Sequence, residues 1–293
     1  MEDTYIMNMK RLIALALALV LSLALAACGG SGAAPSPSAS APAESAPAES
    51  ASAESDLDYV KGKGALVIGY TVYAPMNYTD DNGEFTGFDT ELAKAVCEKL
   101  GVEPQFQEIV WETKEIELAG KTIDCIWNGM TLDPEREANM ACTVPYVKNA
   151  QVVVMKADAD YADTSSLIGK SVCAEVGSAG ETQILGNEET KPDANLAQAD
   201  YVGKSVQTDC LMEVAAGTCD AAVLDMTLAN AMIGEGTDYA GLKIVDELAV
   251  ENYGVAFRQG SDVRDAVNEI FAEMVADGSL GALADKYGLE LAD

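Results

Sequence analysis

Two residues of opposite charge, Arg136 and Asp225, have the side chains that could hold a small zwitterion between them. The planar guanidinium of an arginine donates two parallel hydrogen bonds to a carboxylate. An aspartate that follows an apolar segment, here 221–224, suits an ammonium group. A zwitterion removed from water needs a partner for each charge, because an unpaired buried charge is costly. The alternatives are a surface arginine at a helix start and an aspartate that only caps a helix.

Further polar groups stand close to these two residues in the chain. Thr131 lies five residues before Arg136, so its hydroxyl and its backbone N–H could donate to the same carboxylate. The turn Gly177-Ser178-Ala179 opens a predicted helix, and the first N–H groups of a helix can also meet a carboxylate. We therefore expect the carboxylate to be gripped from two sides, which makes closure around a ligand depend on that ligand.

The elements that must position these groups alternate between strand-like and helix-like segments from about residue 57 onward. This alternation predicts an α/β fold with mainly parallel sheets, and two similar runs of units predict two lobes. We expect lobe 1 at 57–148, with 251–293 returning to it, and lobe 2 at 149–250. Ligands of open α/β sheets bind outside the carboxyl ends of the strands. The predicted strands are 65–70, 105–110, 122–127, 151–155, 171–175, 198–202, 220–224, 242–245 and 253–257, and the predicted helices are 90–100, 206–216, one from 225, 262–276 and a short one ending at 287.

Three local features of this pattern can be compared with a structure. Asp89 precedes the helix predicted at 90–100 and is expected to cap it. The segment Asn-Gly-Met-Thr at 128–131 predicts a turn after a strand. The hinges between the lobes are expected near 146–150 and near 248–253.

The balance of charged residues excludes several classes of function. Acidic residues outnumber basic ones 48 to 18, and the formal net charge is -30. Nucleic-acid binding and adhesion to anionic lipid both need a basic surface, so neither is expected. The chain has no histidine and so lacks the commonest metal ligand and the usual general base. We expect no metal, no cofactor and no catalytic residues, and a self-repelling surface that keeps the protein monomeric.

The first residues of the chain have the pattern of a secretory signal. Lys10 and Arg11 precede an apolar run at 12–25, which is too short to span a membrane comfortably. The run ends in Leu-Ala-Ala-Cys at 25–28, which resembles the lipobox of bacterial lipoproteins. This resemblance implies removal of residues 1–27 and a diacylated Cys28 that anchors the chain to the outer face of the cell membrane. The alternative is an ordinary signal-peptide site with an incidental cysteine, and translation could begin at Met1, Met7 or Met9.

The segment after Cys28 predicts a disordered tether at 28–56. Residues 29–55 contain only Gly, Ser, Ala, Pro and Glu, which cannot build a core. The remaining cysteines are not spaced as zinc ligands, and several lie in apolar runs, so buried free thiols are expected. Pairing of Cys210 with Cys219 stays open at this point.

The folded part, nearly all of residues 57–291, resembles the polar-amino-acid solute-binding proteins of bacterial ABC importers. This resemblance implies a two-lobed periplasmic-binding-protein-like fold of type II, with hinge crossovers between lobes. It also implies an extracytoplasmic protein that binds an amino acid, without chemistry, and delivers it to the importer's membrane permease. The segments that carry the resemblance are GYTVYAPMNY at 69–78, GFDTELAKA at 87–95, IDCIWNGMT at 123–131, PER at 134–136, PY at 145–146, VGS at 176–178 and DAAVLD at 220–225.

The resemblance also gives roles to individual residues. Arg136 takes the position of the family's carboxylate-binding arginine, and Asp225 that of its ammonium-binding acid. Tyr73 matches the aromatic residue that stacks on the ligand side chain, and Asn128 and Gly129 are expected to line the pocket floor. The tryptophans at 111 and 127 could wall the pocket or belong to the core.

Three departures from the family stand out. Many relatives have an aspartate shortly after the first strand, which they use for basic side chains; here the stretch is Thr71-Val72 and is one residue shorter. Glu175 stands two residues before Gly177, where relatives often have Gln, and it could pair with a lysine or arginine side chain or hydrogen-bond to a polar one. At 143–144 relatives often have an acid before the Pro-Tyr pair, whereas this chain has Thr-Val, a difference that concerns the first hinge.

Two other functions fit the same scaffold. One is a dehydratase acting on a prephenate-like or arogenate-like acid, for which Glu175 is the candidate acid or base, because fold alone does not decide function. The other is a sensory ectodomain, which we expect less because the sequence after Cys28 has no apolar run long enough to span a membrane.

Overall fold

The structure is a computed structural model that describes residues 55–293. The predicted signal segment, Cys28 and the tether up to residue 54 lie outside the described residues. The helices are α1 Asp56–Lys63, α2 Phe88–Leu100, α3 Lys114–Ala119, α4 Pro134–Asn139, α5 Ala179–Leu185, α6 Gln207–Ala216, α7 Met226–Met232, α8 Val263–Ala276 and α9 Ser279–Tyr287. The strands are β1 Ala65–Tyr70, β2 Tyr78–Thr79, β3 Phe85–Thr86, β4 Glu103–Glu108, β5 Cys125–Thr131, β6 Ala141–Cys142, β7 Val147–Lys156, β8 Ser171–Glu175, β9 Asp200–Lys204, β10 Ala221–Asp225 and β11 Leu242–Phe257.

Nine of the eleven strands in the described residues form one sheet, in the order β4-β1-β5-β11-β7-β10-β8-β9, with β6 beside β11. At one end, β1 lies parallel between β4 and β5, and we call these three the first strand group. At the other end, β8 lies parallel between β10 and β9, and these three are the second strand group. Between the groups, β7 and β11 pair antiparallel and are the two crossover strands. The sheet is therefore parallel within each group and antiparallel where the chain crosses.

Helices cover both groups of strands. Helix α2 contacts β4 and β5 and packs against α8 and α9, whereas α6 contacts β8 and β10. Strands β5 and β10 are buried along their whole length, as expected for strands in the middle of an α/β sheet. Their last residues, Thr131 and Asp225, are therefore polar side chains placed at the ends of buried strands.

The N-terminus of helix α2 differs from the prediction. Its N-cap is Gly87, and Asp89 lies inside the first turn with its side chain fully buried. The carboxylate of Asp89 accepts hydrogen bonds from the Gly129 N–H at 2.6 Å and the Tyr146 hydroxyl at 2.8 Å. The prediction that Asp89 caps the helix is wrong, because this side chain bonds to neighbouring elements instead.

Two other predictions of local structure are wrong. Residues 128–131 are not a turn but the end of β5, where Met130 and Thr131 pair with β11. The strands predicted at 242–245 and 253–257 are the two ends of one strand, β11, of 16 residues. Its polar middle pairs with β7 through two irregularities, after Ile244 and after Glu247. The polar side chains in the middle of β11 do not indicate a strand, but backbone pairing with β7 makes this segment one.

The cysteines of the described residues are free thiols, and all of them except Cys142 are buried. This agrees with the expectation for Cys97 and Cys125, and it leaves Cys210 and Cys219 unpaired. Burial raises the pKa of the Cys97 thiol to about 12, so this group stays protonated. None of the helices in residues 55–293 has the length and apolar character needed to cross a membrane.

Candidate functional site

The carboxyl ends of strands from both groups meet around one small gap. This gap is about 10 Å³, which is close to the space that one water molecule needs. Eight of its ten lining residues are predicted from the sequence to bind the ligand, and a ninth, Trp111, is named there as a possible pocket wall. The lining residues are Trp111, Asn128, Gly129, Thr131, Arg136, Glu175, Ser178, Ala179, Gln207 and Asp225.

Arg136 reaches the gap from the short helix α4, which follows β5. Asp133 caps this helix by accepting from the backbone N–H of Arg136 at 2.8 Å, and its second oxygen lies 3.2 Å from the guanidinium Nε. The guanidinium is buried and donates to the carbonyl of Thr131 at 2.9 Å through Nη1. Through Nη2 it donates to the carbonyl of Gly177 at 3.0 Å, across to the loop after β8. The alternative of a surface arginine is therefore wrong.

The carbonyl of Gly177 accepts hydrogen bonds from three side chains at once. Besides Arg136, the indole N–H of Trp111 donates to it at 3.1 Å, and the ammonium of Lys114 donates at 3.1 Å. Lys114 is buried, and burial together with the nearby charge of Arg136 lowers its pKa to about 8. Two cations thus converge on one neutral oxygen, and Arg136 is in addition paired with the carboxylate of Asp133.

Asp225 lies at the end of β10 and precedes helix α7 without capping it through its side chain. Its carboxylate accepts from the side-chain nitrogens of Asn149 at 2.7 Å and Gln151 at 2.6 Å, and from Gln207. Burial is the main cause that raises the pKa of Asp225, against the lowering effect of these bonds. The alternative of a plain helix cap is wrong, since the carboxylate is directed into the interior of the protein.

Glu251, on crossover strand β11, is a second acid beside Asp225. It accepts from Thr131 Oγ1 at 2.8 Å, and from the same two amide groups of Asn149 and Gln151 at 2.7 and 2.9 Å. Burial, followed by the neighbouring charge of Asp225, raises the pKa of Glu251 to about 8. The two crossover strands therefore supply polar groups directly behind the gap.

Glu175, at the end of β8, is the third acid of this region. Its side chain is buried, and Oε1 is among the buried polar atoms of the described residues without a hydrogen-bond partner. Burial and the charge of Asp225 raise its pKa to about 8, although Lys114 and Arg136 lower it. An unpartnered buried oxygen on the wall of the gap is a free acceptor, or a donor when the acid is protonated.

The loop from Gly177 to Ala179 uses part of its donors internally. Ser178 caps α5 by accepting from the N–H of Glu181, and the Glu181 carboxylate accepts from the N–H of Gly177 at 2.8 Å. The N–H of Ser178 donates to the carbonyl of Glu175 at 3.2 Å. Two of the three N–H groups expected to face a carboxylate therefore have partners within their own lobe, because the short helix is capped by its own residues.

Tyr73 lies next to the gap but does not line it. Its hydroxyl is 2.5 Å from Thr227 Oγ1 of helix α7 and 2.5 Å from the hydroxyl of Tyr253 on β11, so it links the segment after β1 to both of these elements. A side-chain carbon at Gly129, which has φ of 56°, would stand 2.7 Å from the Tyr73 ring. The Asn128 amide is held by Thr71, which it meets in two reciprocal hydrogen bonds of 2.8 and 2.9 Å.

Several of the polar residues in and behind the gap carry no signal that can be read from the sequence. Lys114 belongs to a segment for which no element is predicted, and Glu251 lies where a hinge is expected. Trp111 lines the gap, whereas Trp127 is fully buried and packs edge-on against Phe271 in the core. Within residues 55–293, no cluster of three or more potential metal ligands is found.

Comparison with known proteins places the chain in a family. Residues 66–290 match the model of the bacterial extracellular solute-binding proteins, family 3. The arginine-binding extracellular protein ArtP of Bacillus subtilis is 29% identical over 228 residues, which cover 77% of this chain and 87% of that protein. The histidine-binding periplasmic protein of Escherichia coli is 30% identical over 223 residues, which cover 73% of this chain and 84% of that protein.

Solved structures share the fold. A mutant of ArgBP from T. maritima superposes with a TM-score of 0.70 and 30% identity, covering 79% of this chain and 98% of that chain. An ancestral amino acid-binding protein, described as a precursor of cyclohexadienyl dehydratase, gives a TM-score of 0.70 at 28% identity, with 80% and 99% covered. These neighbours confirm the predicted two-lobed fold of type II. Since the family model spans most of the folded part, the chain belongs to the bacterial extracellular solute-binding proteins of family 3.

Proposed function

We propose that this protein is the substrate-binding component of an amino-acid ABC importer and that it holds a polar or basic L-amino acid between its two lobes. The observation that carries this proposal is the arrangement of charge around the gap. Arg136 reaches it from the helix after β5, whereas Asp225 and Glu175 reach it from the ends of β10 and β8. A free amino acid has one carboxylate and one ammonium, and each finds a partner of opposite charge here.

Binding in this arrangement needs the lobes to move. A gap of about 10 Å³ is too small for an amino acid, so the ligand enters an opened form and the lobes then close over it. We assign residues 57–148 and 251–293 to lobe 1 and 149–250 to lobe 2, with hinges in β7 and β11. In the closed form Arg136 takes the carboxylate, with Thr131 and the loop 177–179 around it. Asp225 takes the ammonium.

The side chain of the ligand meets a polar wall. Glu175 has an oxygen without a partner, and Trp111, Asn128 and Gln207 stand around the same gap. An ionised Glu175 pairs with a cationic side chain, and a protonated one hydrogen-bonds to a polar side chain. Tyr73 and Gly129 complete the floor and the edge of this space. The names of the relatives, which include arginine-binding and histidine-binding proteins, agree with this class of ligand.

Titration calorimetry with the standard L-amino acids tests the proposal directly. We expect micromolar or tighter binding of at least one polar or basic L-amino acid, and no heat with its D-enantiomer. The enantiomer is the matched control, since it has the same charges in an arrangement that the fixed Arg136 and Asp225 do not fit. Absence of binding by every L-amino acid at millimolar concentration would contradict the function.

We also propose that the chain is held on the outer face of the bacterial cell membrane by a diacylated Cys28, and that it docks on the membrane permease as a monomer. The Leu-Ala-Ala-Cys segment at 25–28 supports the anchor. Cells that express the full chain in labelled palmitate should yield a labelled protein, and the Cys28→Ala variant should not be labelled. Light scattering of the folded part should give the mass of one chain, with and without ligand.

A dehydratase on the same scaffold is the second candidate. A carboxylic acid that remains protonated at neutral pH is a candidate general acid, and burial raises the pKa of Glu175 to about 8. The structural neighbour described as a precursor of cyclohexadienyl dehydratase agrees with this alternative. Turnover of prephenate or arogenate that is lost in Glu175→Gln would favour the enzyme, and absence of turnover with retained amino-acid binding would favour the importer component.

A further inference from the structure

Two acids meet directly behind the gap and share their hydrogen-bond donors. The side-chain nitrogen of Asn149 lies 2.7 Å from Asp225 Oδ1 and 2.7 Å from Glu251 Oε1. The nitrogen of Gln151 lies 2.6 and 2.9 Å from the same two oxygens. Because both oxygens accept from the same nitrogen, the distance between Asp225 Oδ1 and Glu251 Oε1 is at most the combined length of two hydrogen bonds. Asp225 ends β10, whereas Glu251, Asn149 and Gln151 belong to the crossover strands.

The groups around this pair do not neutralise two negative charges. The donors that bond to the two acids are amides and a hydroxyl, from Asn149, Gln151, Gln207 and Thr131, and all of them are uncharged. Two carboxylates at this separation repel each other strongly when both are ionised, and such pairs retain a proton.

The charged and titratable groups on the surrounding elements do not change this balance. Glu175 of β8 adds further negative charge. The Tyr73 and Tyr253 hydroxyls, whose pKa burial raises well above the usual value, stay neutral. Arg136 of α4 and Lys114 of α3 are the cations of this region. The three guanidinium nitrogens of Arg136 are already bonded to Thr131, Gly177 and Asp133. The ammonium of Lys114 donates to the carbonyls of Trp111 and Gly177 and not to the acid pair.

We propose that Asp225 and Glu251 together form the ammonium subsite, that the pair shares one proton in the ligand-free protein, and that a bound ammonium expels this proton to solvent. This inference rests on the proposed function and adds Glu251 as a binding residue. The step is balanced: the ligand ammonium keeps its three protons, the pair changes from one negative charge to two, and one proton goes to the buffer. The positive ligand group then replaces the proton as the counter-charge.

This exchange makes ligand affinity depend on pH in a fixed direction. Below about pH 8, the value to which the pKa of Glu251 is raised, the free pair is protonated and binding releases a proton. Affinity therefore increases as pH rises toward that value, by up to about tenfold per pH unit when one whole proton is released. Above that value the dependence disappears, until the ligand ammonium itself loses its proton.

Calorimetry at neutral pH, in buffers with different ionisation enthalpies, counts the protons released when each L-amino acid binds. We expect the Glu251→Gln variant, whose amide is isosteric with the acid, to release about one proton fewer than the wild type. Glu247→Gln is the matched control, because Glu247 is exposed on the same strand, and its proton count should equal that of the wild type. A Glu251→Gln variant that releases as many protons as the wild type overturns the inference.

Two further measurements test the inference if the Glu251→Gln variant does not fold or if none of the L-amino acids binds. The Glu175→Gln variant lacks the other buried acid of the gap, and it should still release about one proton with a ligand of neutral side chain. No release in this variant overturns the inference whether or not Glu251→Gln folds. Carbon-13 NMR of the ligand-free protein should show two glutamate carboxyls that titrate near pH 8 in the wild type, those of Glu175 and Glu251, and one of these two signals should be missing in Glu251→Gln. If no amino acid binds, the proposed function fails; binding without proton release rejects the shared-proton pair alone.

Discussion

Replacement of Arg136 by methionine should weaken the binding of every amino acid by a similar factor. The guanidinium is the group that we assign to the ligand α-carboxylate, which all amino acids have in common. The variant should still fold, because Asp133 caps helix α4 through the backbone N–H of residue 136 and not through its side chain alone. Methionine fills most of the volume of the arginine stem, so the loss is mainly that of charge and hydrogen bonds.

The structure sets the expected size of this loss. Removal of one partner from a buried, hydrogen-bonded charge pair costs about 2–5 kcal/mol. Here the cost should lie in the lower part of that range, because the ligand replaces a hydrogen bond that Nη2 already makes to the Gly177 carbonyl. We expect about 2–3 kcal/mol, which is about 30-fold to 150-fold in Kd. The Arg136→Lys variant keeps the charge but loses the planar guanidinium group. Its Kd should therefore lie between those of the wild type and of Arg136→Met.

Titration calorimetry of two ligands with different side chains measures this effect. Arg264→Met is the matched control, since Arg264 is partly exposed and pairs with its neighbour Asp265 on helix α8. Its Kd values should equal those of the wild type. Two results would refute the reasoning: affinity within about threefold of the wild type in Arg136→Met, or a loss that differs by more than tenfold between the two ligands.

Three further substitutions test the electrostatics and packing around the gap. Burial raises the folded-state pKa of Glu175 from 4.5 to about 8, so between these pH values the folded state holds a proton that the unfolded state has lost. The free energy of unfolding of the wild type therefore decreases as pH rises from 4.5 to about 8. Urea unfolding at a series of pH values should show a smaller decrease in Glu175→Gln. The pKa of Lys114 is lowered from 10.5 to about 8, so between these pH values the unfolded state holds a proton that the folded state has lost. The contribution of this group to the free energy of unfolding should therefore increase as pH rises from about 8 to 10.5, and it should be missing in Lys114→Met. Gly129→Ala should destabilise the fold by about 2–4 kcal/mol in thermal unfolding, because φ is 56° and the new carbon would overlap the Tyr73 ring.

The strands whose residues are apolar and bounded by turn signals could be predicted from the sequence. Strands β1 and β8 have the predicted limits of 65–70 and 171–175, and helix α8 begins one residue after its predicted start. Strand β11 could not be predicted, because its middle is polar and is ordered by backbone pairing with β7. The Asn-Gly pair at 128–129 predicts a turn, but Asp89 binds the N–H of Gly129 and holds these residues in β5.

The candidate site shows the same division between local and tertiary information. Arg136 and Asp225 could be singled out by their charges, by their places at or after predicted strands and by the resemblance to the family, and Glu175 by its difference from that family. Lys114 and Glu251 could not, since their burial results from contacts with Gly177 and with Asp225, far away in the chain. The stacking role of Tyr73 stays a prediction; its hydroxyl lies beside the gap and contacts Thr227.

The charges on the two sides of the gap suggest why closure would need a ligand. On one side of the gap, Lys114 and Arg136 donate to the same neutral acceptor, the Gly177 carbonyl, and Arg136 is also paired with the carboxylate of Asp133. On the other side, burial raises the pKa of Glu175, and we propose that Asp225 and Glu251 share one proton, so this side holds less negative charge than its three acids could supply. A bound zwitterion adds a carboxylate beside the cations, and its ammonium replaces the proton of the acid pair. We infer that the closed form gains stability from the ligand in proportion to this compensation, and that a ligand lacking either charge would leave the lobes apart.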